Sequence, residues 1–242
     1  MTTPITTACV LIIGNEILSG KTQDTNLQFL GSELAKRGVS LKEARVLVDE
    51  KNDIVKTLNE CRARYDYVIT TGGIGPTHDD ITSECVAAAF GRELVLNDEA
   101  VACLTQRSRE LNEARLKMAH IPKGAELIDN PVSNAPGFRL DNVFVLAGIP
   151  SVARGMFATF ADSLETGETI ISKSLDVYIP EGDLAAPLGD IAQRYPTVEI
   201  GSYPFSRDGR YGANLVVRAM SSSTVDKVLE EIESAMQLLE DS

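Results

Sequence analysis

The chain has 242 residues and a formal net charge of −12, because 35 acidic side chains outnumber 23 basic ones. Hydrophobic residues make up 43% of it and charged residues 24%, which excludes a chain disordered throughout. Nucleic-acid binders cluster Lys and Arg to displace counterions, and no such run occurs, so no nucleic-acid partner is expected. A phosphate ligand would have to be held by backbone amides, a metal ion or a few chosen cations.

The cysteines and histidines form no metal-binding pattern. Cys9, Cys61, Cys85 and Cys103 include no Cys-x-x-Cys pair and no histidine cluster accompanies them, which argues against a zinc site. The longest apolar run, Ala8–Ile13, is too short to span a bilayer, and the amino terminus resembles no signal peptide. We therefore expect a reduced, cytoplasmic protein with no membrane partner.

Apolar strands and amphipathic helices alternate through the first two thirds of the chain. Strands are predicted over 5–13, 41–48, 66–71 and 142–147, helices over 24–37, 52–64, 80–90, 98–114 and 150–164, and an irregular stretch over 117–137. This alternation is typical of the α/β class. It predicts a mostly parallel sheet with helices on both faces.

A change of composition near residues 166–168 predicts a linker. We therefore divide the chain into an α/β domain, residues 1–166, and a small α+β domain, residues 167–242. The second is predicted to run strand, helix, strand, strand, helix over 169–179, 184–194, 198–204, 214–220 and 224–239. It lacks the G-x-x-G loop and basic face that an RNA-binding unit of this size would carry.

The strongest local signal is the glycine-rich segment Thr70–Thr82 between a predicted strand and a predicted helix. Glycines let the backbone turn sharply and let a ligand approach its amides, while a helix amino end adds unpaired N–H groups. An acidic chain can hold a phosphate in this way without a Walker A lysine, which is absent. The alternative is a purely structural turn in which Asp79 and Asp80 complement the helix dipole.

Carboxylates at predicted strand ends are candidate metal ligands. Asp49 follows the second strand and, with Asp80 from a neighbouring strand end, would offer the oxygen ligands that divalent ions prefer. The alternative for Asp49 is a helix cap. The loop Gly14–Gly20 and the helix start at Asp24–Asn26 are further candidate binding segments, although Asp24 taken alone is better explained as a cap.

Together these segments resemble a known family. Thr71–Thr82, with Gly14–Gly20 upstream and Asn130–Phe138 downstream, resembles the amino-terminal domain of the competence/damage-inducible protein A family, which has the molybdopterin-binding fold of molybdenum-cofactor biosynthesis. The chain is also similar to the molybdopterin-binding-like domain of eukaryotic FAD synthases from Thr22–Asn26 to Gly201–Pro204. The amidase domain of longer family members has no counterpart in these residues.

The resemblance implies a pyrophosphatase that cleaves ADP-ribose or FAD with magnesium, manganese or cobalt, with potassium as a further candidate. It implies Asp49 and Asp80 as catalytic groups and, with Asp79, as metal ligands. The residues expected to bind substrate and phosphate lie on loops: Gly14, Asn15, Glu16, Asp24, Asn26, Thr71, Gly72, Gly73, Gly75, Pro76, Thr77, Thr82, Ser133, Asn134, Gly137 and Gly148.

Two positions differ from the family pattern. Ala147 stands where a proline is common, and Ser151-Val152 where a glutamate often occurs. Two alternatives to hydrolysis therefore stay open: a molybdopterin or nucleotide carrier without a hydrolytic step, and an adenylylating molybdenum-cofactor biosynthesis protein. In each case the partner is a small nucleotide or pterin. The related folds also imply a homo-oligomer, a dimer or trimer.

Overall fold

The computed structural model describes residues 5–106, 111–164 and 170–240. The chain separates into two compact units, Met1–Gly167 and Glu168–Ser242. The linker predicted at 166–168, with the boundary between residues 166 and 167, lies outside the described residues. No helix in the described ranges is long and apolar enough to cross a membrane.

The first unit alternates strands and helices. Its elements are β1 (Thr6–Ile13), α1 (Asn15–Leu18), α2 (Asn26–Lys36), β2 (Val39–Leu47), α3 (Lys51–Arg64), β3 (Tyr67–Thr71), α4 (Thr82–Ala89), β4 (Leu94–Leu96), α5 (Asp98–Thr105), α6 (Glu113–Lys117), β5 (His120–Pro122), β6 (Glu126–Ile128), β7 (Gly137–Leu140), β8 (Val143–Leu146) and α7 (Pro150–Phe160), which a 3-10 turn follows.

Six of these strands form one sheet in the order β2-β1-β3-β8-β7-β6. β1 pairs in parallel with β2 and β3, and β3 pairs in parallel with β8. β7 and β6 add an antiparallel edge. The predicted α/β class with a mostly parallel sheet is therefore confirmed. β4 and β5 form a separate two-stranded sheet.

Helices cover both faces of the six-stranded sheet. The even-numbered residues of β1, from Ala8 to Ile12, pack in one core with α2 and α7. The odd-numbered residues, from Cys9 to Ile13, pack in a second core with α3 and α4. Burial on both faces explains why the strand is an unbroken apolar run instead of an alternating one.

Several predicted elements of this unit differ in extent from the observed ones, and three of the differences bear on the site. The helix predicted from Asp80 begins at Thr82. The helix predicted over 98–114 ends at Thr105, and the Asn112 side chain caps the separate helix α6. The stretch 117–137 was predicted to be irregular but contains β5, β6 and the start of β7, because strands of three residues are too short to show alternation.

The second unit follows the predicted order of strand, helix, strand, strand, helix. Its elements are β9 (Ile171–Val177), α8 (Glu181–Arg194), β10 (Glu199–Arg207), β11 (Arg210–Ala219) and α9 (Ser222–Glu240). The strands form an antiparallel sheet in the order β10-β11-β9. Alternate residues of β11, including Leu215 and Val217, pack in one core with Leu184 of α8 and Val228 of α9.

Candidate functional site

The glycine turn begins where β3 ends, at the carboxyl edge of the parallel strands. Gly72 has a φ of 100°, in the left-handed region that glycine favours. A Cβ atom at Gly72 would lie 2.1 Å from the carbonyl oxygen of Ile13, the last residue of β1. The Gly72 amide donates to the Leu146 carbonyl oxygen at 3.1 Å. Packing between backbone segments therefore fixes this position, and the Gly72 N–H is paired with the end of β8.

Thr82 ties the turn to the start of α4. Its amide donates to the Gly73 carbonyl oxygen at 2.9 Å, and its Oγ1 donates to the Gly72 carbonyl oxygen, also at 2.9 Å. A Cβ at Gly73, which has a φ of 69°, would lie 2.1 Å from that Oγ1. The buried Thr82 hydroxyl therefore holds the backbone of the turn. This structural role could not be predicted from the position of Thr82 in the sequence motif.

The middle of the turn exposes a run of backbone amides. Among the described residues, the N–H groups of Gly73, Ile74 and Gly75 have no hydrogen-bond partner. Pro76 has no N–H, and the Thr77 amide donates to Asp80. Successive unpaired amides in a glycine turn are donors that can hold an anion without a cationic side chain.

Thr77 organises the acidic end of the turn. Its amide and its Oγ1 contact Asp80 Oδ2 at 2.8 Å and 2.5 Å, and the same Oγ1 lies 2.6 Å from Asp79 Oδ1. The hydrogen bond from Thr77 lowers the pKa of the Asp79 carboxyl below its ordinary value. Since α4 starts at Thr82, Asp80 caps the turn at residues 77–80, and the prediction that Asp80 opens the helix is wrong.

Asp49 joins the ends of two strands. Its Oδ2 accepts a hydrogen bond from the Asn15 amide at 2.8 Å, while the Gly14 amide donates to the Leu47 carbonyl oxygen at 3.1 Å. β1 lies between β2 and β3 in the sheet, so Asp49 and Asp80 follow strands about 10 Å apart. The expectation that they follow neighbouring strands is wrong, because sheet order is not sequence order.

The carboxylates provide donors for a divalent ion but no complete cage. Within the described part of the chain, no group of three or more His, Cys, Asp or Glu side chains could hold a metal ion. The bonds above use only Oδ2 of Asp49 and of Asp80. Magnesium is commonly bound by one or two carboxylates together with waters and substrate phosphates. Each carboxylate therefore offers an oxygen donor to a hard cation, which waters and a phosphate ligand would also have to hold.

Buried polar atoms border the turn on the α2 side. Asn26 is 3% exposed, and its Nδ2 donates to the Gly148 carbonyl oxygen at 2.8 Å. A Cβ at Gly148 would lie 3.3 Å from the Gly72 Cα, so these three residues are close together. Asn26 Oδ1 and Thr71 Oγ1 are buried without a hydrogen-bond partner in the described ranges. Such atoms are rare in native proteins and suit a ligand or an ordered water.

The other predicted residues of the first two loops have local partners. The Glu16 carboxylate lies over Gly14, where a Cβ would be 2.6 Å from its Oε1. Asp24 Oδ1 accepts a hydrogen bond from the Leu27 amide at 2.9 Å, so the cap interpretation of Asp24 accounts for its contact.

The loop 130–136 is organised by Asn130, a residue that we did not predict. Its side chain accepts from the Ser133 amide at 3.1 Å and donates to Ser133 Oγ at 2.6 Å. Asn134 has a φ of 60° and donates to Gln106 Oε1 at 3.0 Å. Gly137 opens β7, where a Cβ would lie 2.2 Å from the Val145 carbonyl oxygen. These contacts support the loop and the sheet, and the signals for Asn130 were the Asn-Pro dipeptide and its place in the segment Asn130–Phe138 that resembles the family.

Packing accounts for the two departures from the family pattern. Val152 is 5% exposed and belongs to the core shared by α2 and α7. Ala147 packs against the same core, and its amide lies 3.5 Å from Met156 Sδ. Of the two residues that stand where a glutamate often occurs, Val152 is therefore buried and Ser151 is exposed.

A cavity of about 300 Å³ lies beside the turn and shares Gly75 and Asp80 with it. Lys117 of α6 and His120 of β5 line this cavity, and the Lys117 Nζ donates to the Thr77 carbonyl oxygen. Sequence reasoning missed both residues. No spacing signal could have found Lys117, which lies 40 positions from Thr77.

The fold and the turn define a recognised class. Residues 9–166 match the family described as "Probable molybdopterin binding domain", and residues 169–239 match that described as "FAD synthase, middle domain". The chain belongs to the molybdopterin-binding domain family, as the resemblance predicted.

Two proteins of similar sequence and one solved structure are similar to this chain. It is 33% identical to a probable FAD synthase of Caenorhabditis elegans over 93% of this chain and 49% of that protein. It is 33% identical to a competence-damage inducible protein of Clostridium botulinum over 96% of this chain and 60% of that one. The chain thus spans about half to three fifths of these relatives. The crystal structure of CinA, of unknown function, from Thermoplasma acidophilum superposes with a TM-score of 0.62 and 32% identity, covering 65% of this chain and 96% of that one.

Proposed function

We propose that this chain hydrolyses a nucleotide pyrophosphate of the ADP-ribose or FAD type and releases AMP. The observation that carries the proposal is the run of unpaired amides at Gly73, Ile74 and Gly75, held at the carboxyl edge of parallel strands. Ligands of open α/β sheets bind at this edge, and backbone N–H groups there suit phosphate oxygens. In a chain with a net charge of −12, they attract an anion without a lysine cluster. Relatives named FAD synthase support a nucleotide substrate.

Different residues around the turn bind different parts of the substrate. The three amides hold the pyrophosphate, and Asn26 Oδ1 and Thr71 Oγ1 meet ribose hydroxyl groups, which supply the partners that these buried atoms lack. Water attacks one phosphorus atom and the bridging P–O bond breaks. The products are AMP and either ribose 5-phosphate or FMN.

Asp49 and Asp80 would hold a divalent ion, and the hydrogen bonds to Oδ2 keep each carboxylate in place. Asp79, whose pKa is lowered by the hydrogen bond from Thr77, stays ionised next to Asp80. A bound magnesium, manganese or cobalt ion supplies polarisation of the phosphoryl oxygen and a lower pKa for the attacking water. Potassium remains a further candidate ion.

A turnover screen tests the proposal. ADP-ribose, FAD and dinucleoside pyrophosphates are incubated with each metal, and AMP is measured directly. We expect Asp80→Asn to lower turnover by roughly 100-fold or more, while Asp98→Asn, an exposed carboxylate in the first turn of α5, leaves it unchanged. Thermal melting confirms that both variants fold. If Asp80→Asn releases AMP as fast as the parent does, the proposed hydrolytic site is wrong.

One observation favours a second candidate, a carrier of a nucleotide or pterin without a hydrolytic step: the described residues contain no complete metal cage. This candidate predicts tight ligand binding with no AMP under any of the three metals. A molybdenum-cofactor biosynthesis protein of the adenylylating type would instead consume ATP with molybdopterin and ignore ADP-ribose.

A further inference from the structure

The outer side of β2 is a long free edge of the six-stranded sheet. β2 has nine residues and, among the described residues, pairs only with β1, whereas β6 at the opposite edge has three residues. A short edge strand protects a sheet against pairing with another chain, and a long one presents a row of unpaired N–H and C=O groups. The outer side of β2 is therefore the edge at which this sheet can accept another strand.

The backbone of β2 shows which of its residues face outward. The Leu47 carbonyl oxygen accepts a hydrogen bond from the Gly14 amide, which directly follows β1, so the backbone groups of Leu47 point towards β1. These groups alternate in direction along a strand, so those of Arg45 also point towards β1, and those of Ala44 and Val46 point away from it. Ala44 and Val46 are exposed. A strand added at this edge would therefore form hydrogen bonds with these two residues.

Two opposite charges flank Ala44 along the strand. Arg45 Nε donates to Glu43 Oε1 at 2.6 Å, and Arg45 Nη1 donates to Glu60 Oε2 of α3 at 2.7 Å. In the described part of the chain, Arg45 Nη2 has no hydrogen-bond partner, so the guanidinium can donate to a further carboxylate. The side chains of Glu43 and Arg45 are 24% and 30% exposed, so another chain at this edge can reach both charges.

The sequence of β2 is complementary to itself about Ala44. In a two-fold antiparallel pair, each residue before the axis lies opposite the residue equally far beyond it in the second copy. With the axis at Ala44, Glu43 of each copy lies opposite Arg45 of the other. With the axis one residue away on either side, Glu43 or Arg45 would lie opposite itself, and like charges directly opposite each other destabilise a pair. Charge complementarity therefore selects one register and one occupant, a second copy of this chain.

We propose that this chain forms a homodimer in which the outer edges of two β2 strands pair in antiparallel fashion with the two-fold axis at Ala44. The two Ala44 residues exchange both of their backbone hydrogen bonds. Glu43 and Arg45 occupy the neighbouring non-hydrogen-bonded positions, at which opposite side chains lie closest. The pairing joins two six-stranded sheets into one continuous sheet. It is independent of the proposed hydrolysis, because it uses none of the residues assigned to that reaction.

Apolar surface beside this edge favours the pairing. Lys42 is the extra residue at which the register between β1 and β2 shifts, and in the dimer it lies opposite Val46 of the second copy. The aliphatic stem of a lysine can cover such an exposed valine while its charge stays in water. A groove of about 510 Å³ is lined by residues 45–48 and by Leu18, which is 51% exposed. Removing such surface from water would add to the stability that the hydrogen bonds provide.

Disulfide trapping on the full chain tests the register. Ala44→Cys places two thiols at the axis, where opposite Cα atoms lie about 5.5 Å apart, a distance that a disulfide spans. Val46→Cys, at another outward-facing and exposed position of β2, places the two Cα atoms more than about 13 Å apart. With copper phenanthroline in air, we expect Ala44→Cys to form a dimer that a reductant separates on a denaturing gel. Val46→Cys and the parent, which has four cysteines of its own, should not.

Charge variants test the pairing in solution by sedimentation at protein concentrations up to about 100 µM. Glu43→Arg makes both flanking charges positive and Arg45→Glu makes both negative, so each variant alone should associate at least about tenfold more weakly than the parent. An equimolar mixture of the two restores opposite charges across the axis and should form a heterodimer. Arg194→Glu, which breaks an exposed ion pair of α8, should leave association unchanged. Thermal melting confirms that each variant folds.

Each outcome decides for or against the pairing. A parent that sediments as a monomer at every concentration, or as a trimer, would overturn it. A dimeric parent in which Ala44→Cys is trapped no faster than Val46→Cys would also overturn it, because the copies then meet at another surface or in another register. If the mixture of folded charge variants stays monomeric, opposite charges do not meet across the axis and the pairing is wrong.

Discussion

The two ends of the turn after β3 are held by different forces. Gly72 and Gly73 are fixed by close backbone packing and a buried threonine, with no room for a side-chain carbon. Residues 77–80 are held by exposed hydrogen bonds from the Thr77 amide and hydroxyl to the Asp80 carboxylate, each worth about 1 kcal/mol. The first end therefore provides a rigid frame for backbone amides. The second end can rearrange at low cost when a ligand or an ion binds.

Gly72→Ala should have the largest effect on stability. The new Cβ would lie 2.1 Å from the Ile13 carbonyl oxygen, a backbone atom within the central strand that cannot easily move. We expect a loss of about 3 kcal/mol or more in the free energy of unfolding, measured by urea denaturation. Gly91→Ala is the control: its φ is also positive, 60°, but no atom lies within 4 Å, so it should lose only about 1 kcal/mol. Equal losses would show that the turn is not packed against β1.

Gly73→Ala should have an intermediate effect, about 2 kcal/mol, because its closest neighbour is the Thr82 side chain and not the backbone. The new methyl group displaces Thr82 Oγ1 from the Gly72 carbonyl oxygen. Losses in Gly73→Ala and Thr82→Ala should therefore be less than additive in the double variant, since both break the same bond. Strict additivity in urea denaturation would contradict this coupling.

Thr77→Val should have the smallest effect, less than about 1 kcal/mol, since the Thr77 amide still donates to Asp80. Without the hydroxyl, the pKa of Asp79 should rise towards its ordinary value, as followed by NMR titration. The bond to Asp79 contributes stability above the pKa of the unfolded carboxyl and loses it as pH falls through the folded pKa. Thr105→Val, which removes an unrelated exposed hydroxyl bond, should leave the titration unchanged.

Much of the site could be predicted because its signals are local. The apolar run Ala8–Ile13 predicted a strand buried on both faces, and the glycines after β3 predicted a sharp turn at a ligand-binding edge. The contacts of individual residues could not be predicted in the same way. The Gly72 amide donates to the end of β8, and the Thr82 hydroxyl donates to the Gly72 carbonyl oxygen. These hydrogen-bond partners depend on which strands are neighbours in the sheet.

By itself, the sequence determined the α/β class, the order of the main elements and the position of the glycine turn, because these depend on residues close together in the chain. Only the tertiary structure decided that β1 separates Asp49 from Asp80, that Asn26 binds Gly148 122 positions away, and that Lys117 reaches the turn beside a cavity. The physical reason is that strand order and side-chain contacts result from packing between distant segments, and local periodicity carries no information about which segments meet.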